Sequence, residues 1–227
     1  MKKLLLLLPL LILFVSFVSA DDNSTIAYYK FEDLNDTFGG IGTLEVGGVL
    51  AGFVPAIINN GADFELDTPS YAFNNSINTA NIATVRTISC WVKLESSTAD
   101  RYIFDIHGST ATDFFYMRVE NEDSILINFR KDNVGIYAME TTQGLILNGD
   151  WHNVIVTLGE GGGKIHIDGS IISNASDADT TLMDADFTDI KFGISRFIGE
   201  SFDGVIDNCA FFNYTFDSQD ITDSYNN

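Results

Sequence analysis

Several residue types that common enzyme classes need are scarce in this sequence. The 227 residues include three histidines, at positions 107, 152 and 166, and no two of them share metal-ligand spacing on one predicted element. A zinc site is therefore not expected. No Gly-x-Ser-x-Gly motif is present, since Ser195 in "GISRF" lacks the second glycine, and this excludes the nucleophile elbow of many hydrolases.

Helical periodicity and proline are also scarce. After residue 20, apolar spacing typical of a helix continues for no more than about one turn, and the chain has only three prolines. Apolar and polar residues alternate instead, which predicts strands. The segment "GDWHNVIVTLGEGGGKIHIDGSII" (149–172) predicts a three-strand meander, because its glycines and Asp168-Gly169 favour turns. The other predicted strands cover 25–32, 62–66, 85–94, 102–106, 114–120, 124–130, 134–140, 189–192 and 205–214, and a single capped helical turn is expected at 217–221.

Basic residues are few, with 12 Lys and Arg against 32 Asp and Glu, so the formal net charge is −20. Such a field repels phosphate groups, and neither nucleic acid nor an anionic membrane is an expected partner. The excess of carboxylates favours either divalent cations or simply a soluble surface.

Long hydrophobic runs are confined to the N-terminus. Lys2 and Lys3 precede an apolar run from Leu4 to Val18, and small residues follow at Ser19 and Ala20, which predicts a signal peptide over residues 1–20. A retained membrane anchor is the alternative. Residues 21–227 are then expected to form a single exported domain, secreted or at the cell surface. Five glycosylation candidates stand in sequons, at Asn23, Asn35, Asn74, Asn174 and Asn213.

Three segments in order resemble the laminin-G-like, concanavalin A-like family. They are "TISCWVKLESS" (87–97), "GDWHNVIVTL" with "KIHIDGSII" (149–172), and "FDGVIDNCAFFNYTF" (202–216). "AYYKFED", "NDTFGGIGTL" and "NNGADFEL" are similar to the family's first strand, glycine loop and next strand, although the loop is two residues shorter. The resemblance implies an all-β jelly roll of two stacked antiparallel sheets with ligand loops at one rim. His152 stands where the family has a histidine, and a structural hydrogen bond is expected for it.

The resemblance also implies a structural calcium ion, where the glycine loop meets the aspartates of the terminal motif. The loop aspartate falls on Asp36 and its glycine on Gly39, and the terminal pair falls on Asp207 and Asn208. Calcium takes several hard oxygen ligands, and Asn208 would supply a carbonyl oxygen where the family has aspartate. The alternative is that Asp36 makes an Asx turn and Asp207 caps a strand end.

The two cysteines, Cys90 and Cys209, lie on predicted strands. Cys90 is in phase with Ile88 and Val92, and Cys209 with Phe211, so both side chains are expected in the core. Exported proteins usually oxidise such a pair. We therefore predict a disulfide between neighbouring strands, with two separate buried thiols as the alternative.

Some concanavalin A-like folds are glucanases, which use carboxylates spaced as Glu-x-Asp-x-x-Glu, so glycoside hydrolysis is a candidate activity. Glu65 and Asp67 begin that pattern, but its third position is Ser70, and Pro69 disfavours the strand that the motif needs. Glu120 and Glu122 are expected to be solvated charges. No residue is therefore assigned to catalysis.

A sugar-binding surface is the remaining candidate. Strand alternation sends some aromatic and arginine side chains to a concave face and others into the core, and phenylalanine favours the core. A binding role is therefore open for the tyrosines and arginines of the set Tyr102, Phe115, Tyr116, Arg118, Phe129 and Arg130.

These observations predict an exported, non-enzymatic recognition module that binds glycans or cell-surface proteins. A structural surface or assembly protein without a small ligand is one alternative, favoured if the leader is retained as an anchor. A glycan-cleaving hydrolase is the other, favoured if Glu65 lines a groove beside a second carboxylate.

Overall fold

The two cysteine-bearing strands lie at the centre of one of two antiparallel sheets that pack face to face. The computed structural model describes residues 24–50, 52–67, 69–96, 99–110, 112–121, 123–146, 149–160, 162–175, 180–182, 186–197 and 199–226. The predicted signal peptide (1–20) and the candidate Asn23 lie outside the described residues.

The elements follow one another along the chain as short strands with two helices. They are β1 (Thr25–Tyr29), β2 (Glu45–Gly48), β3 (Gly52–Pro55), β4 (Asn60–Phe64), β5 (Ser70–Asn74), α1 (Thr79–Ile82), β6 (Thr87–Leu94), β7 (Arg101–His107), β8 (Phe114–Val119), β9 (Ile125–Lys131), β10 (Val134–Glu140), β11 (Trp151–Thr157), β12 (Gly163–Ile167), β13 (Ser170–Ala175), β14 (Asp189–Phe192), β15 (Gly204–Phe212) and α2 (Ser218–Asn226).

Both sheets are antiparallel throughout. Sheet A has the order β13-β12-β11-β6-β15-β4-β3, and β1 pairs with the end of β15 that β4 leaves open. Sheet B has the order β10-β9-β8-β7-β14-β5-β2. The predicted two-sheet jelly-roll sandwich is thus confirmed.

Aromatic rings fill the space between the sheets. Phe192 of sheet B meets Tyr29, Phe31 and Phe211 at centroid distances of 5.2–6.5 Å with steep interplanar angles. All four side chains are fully buried. Each such side chain contributes about 1.5–3 kcal/mol through burial, and edge-to-face pairs add about 0.5–1.5 kcal/mol. This layer holds the two sheets in a fixed relation.

A disulfide joins Cys90 of β6 to Cys209 of β15, with Cα atoms 4.2 Å apart. Both side chains are fully buried in the core, as their strand phase predicts. The register of the two strands shifts between Asp207 and Ala210, where Asn208 has a φ of 49°. This bulge places two residues of β15 opposite Cys90.

The predicted meander is confirmed by the pairing of β11 with β12 and of β12 with β13. Asp168 (φ 51°) and Gly169 (φ 76°) both adopt the left-handed conformation that a type I′ turn requires. Asp168 also accepts from His152 Nδ1 at 2.7 Å and from the backbone N–H of Asn153 at 2.9 Å. The structural hydrogen bond expected for His152 is present.

The C-terminal helix is longer than the single turn that the sequence predicted, since α2 has nine residues. Asp217 accepts from the backbone N–H groups of Gln219 (2.7 Å) and Asp220 (3.0 Å), which satisfies the first turn. Tyr225 stacks on Trp91 of sheet A at 5.9 Å, and this tertiary contact supports the helix beyond its cap. No helix in the described part of the chain combines the length and apolar character needed to cross a membrane.

Three strands were not predicted: β2, β3 and β5. The sequence "EVGG" of β2 and "GFVP" of β3 contain the glycines and proline that ordinarily demote a strand. Both are edge strands, where proline and glycine are tolerated because one side makes no ladder bonds.

Candidate functional site

Alternate side chains of β7, β8 and β9 leave the core and cover the outer face of sheet B. The tyrosines Tyr102 and Tyr116 form a cluster of their own there, separate from the main core. Phe115 and Phe129 lie on the opposite side of the same strands and belong to that core. The structure thus sorts a set that the sequence left unsorted: the tyrosines and arginines lie outside, and these phenylalanines lie in the core that phenylalanine favours.

The outer cluster is an ordered stack of rings. Tyr116 packs against Tyr102 at 5.0 Å and stacks on Phe114 at 5.5 Å with an interplanar angle of 14°. Leu126 of β9 packs against the same rings. The Tyr116 hydroxyl accepts from Asn128 Nδ2 at 3.1 Å, which fixes the ring edge. The rings are buried by groups that lie above them.

Arg118 is the first of these covering groups. Its guanidinium lies 5.4 Å from the Tyr102 centroid and 5.2 Å from the Tyr116 centroid. It donates to Tyr102 Oη at 3.0 Å and forms ion pairs with Asp100 (3.0 Å) and Glu120 (2.6 Å). Glu120 is therefore not the freely solvated charge that the sequence suggested; its side chain is 20% exposed.

Arg196 is the second covering group and comes from the segment after β14. Its guanidinium lies 3.8 Å from the Phe114 centroid and 4.9 Å from that of Phe197. Asp105 of β7, fully buried, accepts from Arg196 Nη1 at 3.0 and 3.2 Å and from its backbone N–H at 2.8 Å. Phe197 remains 63% exposed at the top of this stack. Together these side chains form an aromatic platform, which consists of Tyr102, Phe114, Tyr116, Arg118, Arg196 and Phe197.

Burial and paired charges shape the protonation of the platform. Burial raises the pKa of Tyr102 above its usual range, so its hydroxyl stays neutral. Burial opposes the charge on Arg118, but Tyr102 and Glu120 outweigh it and raise the pKa of the guanidinium. Burial also raises the pKa of Asp105, and Arg196 opposes that rise. The Arg118 guanidinium keeps its charge, and the guanidiniums of Arg118 and Arg196 are both matched by carboxylates.

Both carboxylate oxygens of the predicted calcium residue Asp36 accept hydrogen bonds from backbone N–H groups of its own loop and of β1. Its Oδ1 accepts from Tyr28 N and Phe38 N, both at 3.0 Å, and its Oδ2 from Ile41 N (2.9 Å) and Gly42 N (3.1 Å). These bonds occupy the lone pairs that a cation would need. Asp36 therefore fits the Asx-turn alternative, and Gly39 (φ 73°) serves the same loop as a turn residue.

Asp207 and Asn208 have a different environment. Asp207 is fully buried; its Oδ2 accepts from Ile58 N at 3.1 Å, while its Oδ1 has no partner. Burial raises the pKa of Asp207 to about 6. Asn208 Oδ1 accepts from the Tyr28 hydroxyl. A buried oxygen without a partner fits a proton or a cation, so Asp207 offers a ligand atom that Asp36 and Asn208, whose oxygens already accept hydrogen bonds, do not.

The hydrolase candidate Glu65 directly follows β4, which belongs to sheet A, whereas the aromatic platform lies on sheet B. Burial raises its pKa, and the charges of Asp63 and Asp203 raise it further. The third carboxylate of the glucanase pattern is absent, because position 70 is a serine; its Oγ accepts from the Glu65 N–H at 3.3 Å.

Four of the five glycosylation candidates lie on described residues. Asn35, Asn174 and Asn213 are exposed. Asn74 is half-buried, and its amide nitrogen donates to the Thr43 carbonyl at 3.1 Å. A glycan on Asn74 would have to displace this bond.

The sequence missed Phe114, Asp105, Arg196 and Phe197. Phe114 and Asp105 alternate with core residues along their strands, which indicates that they point to the outer face. Nothing in those strands indicates that another segment covers this face. Arg196 and Phe197 stand in "GISRF", which lacks any local signal for a binding role. Only the fold brings this segment over the outer face of sheet B.

Comparisons with known proteins agree with this architecture. The family model Laminin_G_3, described as the concanavalin A-like lectin/glucanases superfamily, matches residues 66–222. No curated protein sequence is significantly similar to this chain.

The solved structures that match share the fold at low identity. Domain 4 of AbnA, a GH43 extracellular arabinanase from Geobacillus stearothermophilus in complex with arabinotriose, is 16% identical with a TM-score of 0.70, covering 89% of this chain and 98% of that domain. The receptor-binding domain of the botulinum neurotoxin C/D mosaic serotype is 19% identical with a TM-score of 0.68, covering 89% of this chain and 51% of that one. Botulinum neurotoxin type C, for which cell entry is dependent upon interaction with two ganglioside molecules, is 16% identical with a TM-score of 0.65, covering 89% of this chain and 51% of the toxin chain. This chain thus spans about half of the toxin chains.

The two-sheet jelly roll and a family match over more than half of the sequence lead to one assignment. The chain belongs to the laminin-G-like family of the concanavalin A-like lectin/glucanases superfamily.

Proposed function

We propose that this protein is an exported, non-enzymatic glycan-binding module and that the aromatic platform is its binding site. The observation that carries the proposal is Phe197, an aromatic ring that is 63% exposed and lies against the Arg196 guanidinium, which also lies over the Phe114 ring. An exposed ring fixed by such a stack offers a flat apolar surface at little cost in conformational entropy.

The platform combines this apolar surface with polar groups at its rim. Asp100 and Glu120, with side chains 29% and 20% exposed, lie beside Arg118, and Asn128 lies beside Tyr116. Such groups can accept hydrogen bonds from, or donate them to, sugar hydroxyls. Binding sites of this kind are mostly apolar, with a few placed polar groups that set orientation.

The proposed ligand is recognised by stacking and hydrogen bonds more than by charge. Arg118 is paired with two carboxylates and Arg196 with one, so neither guanidinium offers an uncompensated charge. The similar arabinanase domain holds arabinotriose, and a similar toxin interacts with gangliosides. These neighbours support glycan as the ligand class, and the extracellular arabinanase and the disulfide support an exported location.

Calcium is a second part of the proposal. A structural ion would be held at Asp207, whose Oδ1 is buried without a partner, and Asn208 would have to exchange its bond from the Tyr28 hydroxyl for the ion. The ion would stabilise the bulge of β15 and would take no part in a reaction.

A printed glycan array, read with and without calcium, tests the proposed function. We expect binding to at least one glycan class, a loss of at least tenfold in affinity for Phe197→Ala, and no loss for Phe53→Ala. Phe53 is the matched control, because it is 40% exposed on β3 in the other sheet. Binding to no sugar would reject the proposal and favour the structural or assembly role.

A hydrolase remains the second candidate because carboxylates surround Glu65 and raise its pKa in addition to burial. Release of reducing ends from a polysaccharide by the wild type, lost in Glu65→Gln, would favour that activity over the binding module.

A further inference from the structure

The outer face of sheet B carries one straight row of side chains that continues well past the aromatic platform. Strand register places Asn128 opposite Tyr116, and Tyr116 opposite Asp105. Asp105 is in turn opposite Lys191 of β14, and Lys191 is opposite Phe73 of β5. Each of these residues alternates with a core residue, so the row lies on the outer face.

The far end of this row holds a second aromatic cluster. Tyr71 and Phe73 of β5 lie 5.6 Å apart, and Lys191 Nζ is 5.7 Å from the Tyr71 centroid. Ala72 between them is fully buried in the core, which confirms that both rings point outward. Both are half-buried, so part of each ring faces solvent.

A glycine makes room for this cluster. A Cβ on Gly47 of β2 would lie 2.0 Å from Cζ of the Tyr71 ring, so only glycine lets the ring lie against its neighbouring strand. Tyr71 is thereby held against β2 as a flat surface, much as Arg196 holds Phe197 at the other end of the row.

The separation of the two clusters sets the size of the ligand. Three strand-to-strand steps lead from β8 to β5 through β7 and β14. Neighbouring strands are about 4.8 Å apart. Tyr116, which lies buried beneath the platform, and Phe73 are therefore roughly 14 Å apart across the sheet, and this distance separates the two clusters. One sugar ring cannot reach both clusters, whereas a short linear chain of sugars can.

We propose that Tyr71, Phe73 and Lys191 form a second subsite, and that the ligand is a linear oligosaccharide that lies across the strands of sheet B. This inference rests on the proposed glycan-binding function. Sugars at the far end stack on Phe73 and Tyr71, and the ammonium of Lys191 donates to their hydroxyls. Because both contacts then belong to one chain, affinity rises with chain length until both subsites are filled.

The test is an array of neutral glycan backbones (arabinan, xylan, glucan, mannan and galactan), each printed as chains from the single sugar to the octamer. We expect wild-type affinity for the recognised backbone to rise at least tenfold from the shortest bound chains to the longest. In Phe73→Ala the ratio of long-chain to short-chain affinity should fall about tenfold, and Lys191→Met should lower it in the same direction. Phe197→Ala should weaken binding at every length, and Phe53→Ala should change nothing.

The outcomes separate this inference from the proposed function. Binding that does not depend on length, or an unchanged ratio in a Phe73→Ala protein that melts like the wild type, overturns the second subsite and leaves the platform standing. If Phe73→Ala is unstable, Lys191→Met decides, since it keeps the aliphatic stem and removes the donor. A wild type that binds no chain of any length overturns both proposals.

Discussion

The ion pair between Asp105 and Arg196 docks the segment that carries Phe197, and Asp105→Asn tests it. Asp105 is fully buried and accepts three hydrogen bonds from Arg196, whose side chain is 10% exposed. Asparagine keeps the shape but removes the charge and turns an NH₂ group towards donors. Removing one partner of a buried pair costs about 3–5 kcal/mol, because the other charge stays buried. For a domain of this size that lowers the Tm by about 6–20 °C.

Urea unfolding followed by tryptophan fluorescence measures this cost, and glycan affinity should fall in the same variant. Asp67→Asn is the control, since Asp67 is exposed and should change stability by no more than about 0.5 kcal/mol. The double variant Asp105→Ala/Arg196→Ala should be less destabilised than the sum of its single variants. A loss below about 1 kcal/mol in Asp105→Asn with unchanged binding would refute the reasoning.

Four further predictions concern the disulfide, the charges and calcium. Reducing the bond between Cys90 and Cys209, 119 residues apart, should cost about 5 kcal/mol and lower the Tm by about 10–20 °C; an unchanged Tm, or two titratable thiols in the denatured, unreduced protein, would contradict it. Burial raises the pKa of Asp207 from 3.8 to about 6. The protonated carboxyl therefore stabilises the fold fully below about pH 4, and up to about 3 kcal/mol of the free energy of unfolding is lost as the pH rises through about 6. In chelator, Asp207→Asn should flatten this dependence in urea unfolding at about pH 4 and about pH 8, and equal slopes for both proteins would reject it. Millimolar calcium should raise the Tm of the wild type and chelator should lower it, whereas Asp207→Ala should not respond; identical melting of the wild type in both rules out the ion. Raising salt from about 0.05 to about 0.5 M should change glycan affinity less than twofold, because the platform charges are paired, and a steep loss would indicate charge recognition.

The sheets could be predicted wherever strand periodicity was strong. β6 to β10 alternate cleanly, and their predicted bounds agree with the structure to within about two residues. β2 and β3 escaped prediction because glycine and proline weaken the pattern at these sheet edges. β5, an inner strand of five residues, gives too short an alternation to be distinguished. α2 was underestimated because its extension depends on Tyr225 meeting Trp91, a contact between distant parts of the chain.

The candidate site was predicted only in part. Tyr102, Tyr116 and Arg118 belong to the set for which residue type left a binding role open, since phenylalanine favours the core, but alternation alone did not place them on the outer face. Phe114 breaks that preference, because Arg196 covers its ring and supplies the burial that the core gives elsewhere. Nothing local to "GISRF" indicates this role.

The sequence by itself determined the all-β class, the phase of each central strand and the core positions of Cys90 and Cys209, because a period of two is a local property of the chain; the two stacked sheets were implied by the family resemblance. Only the tertiary structure decided which polar groups meet. Asp36 became the acceptor of four backbone N–H groups, and Asp207 kept a buried oxygen without a partner. Asp105 and Arg196, 91 residues apart, formed the pair that fixes the platform. Such contacts depend on strand order and register across the whole sheet, which no short segment of sequence specifies.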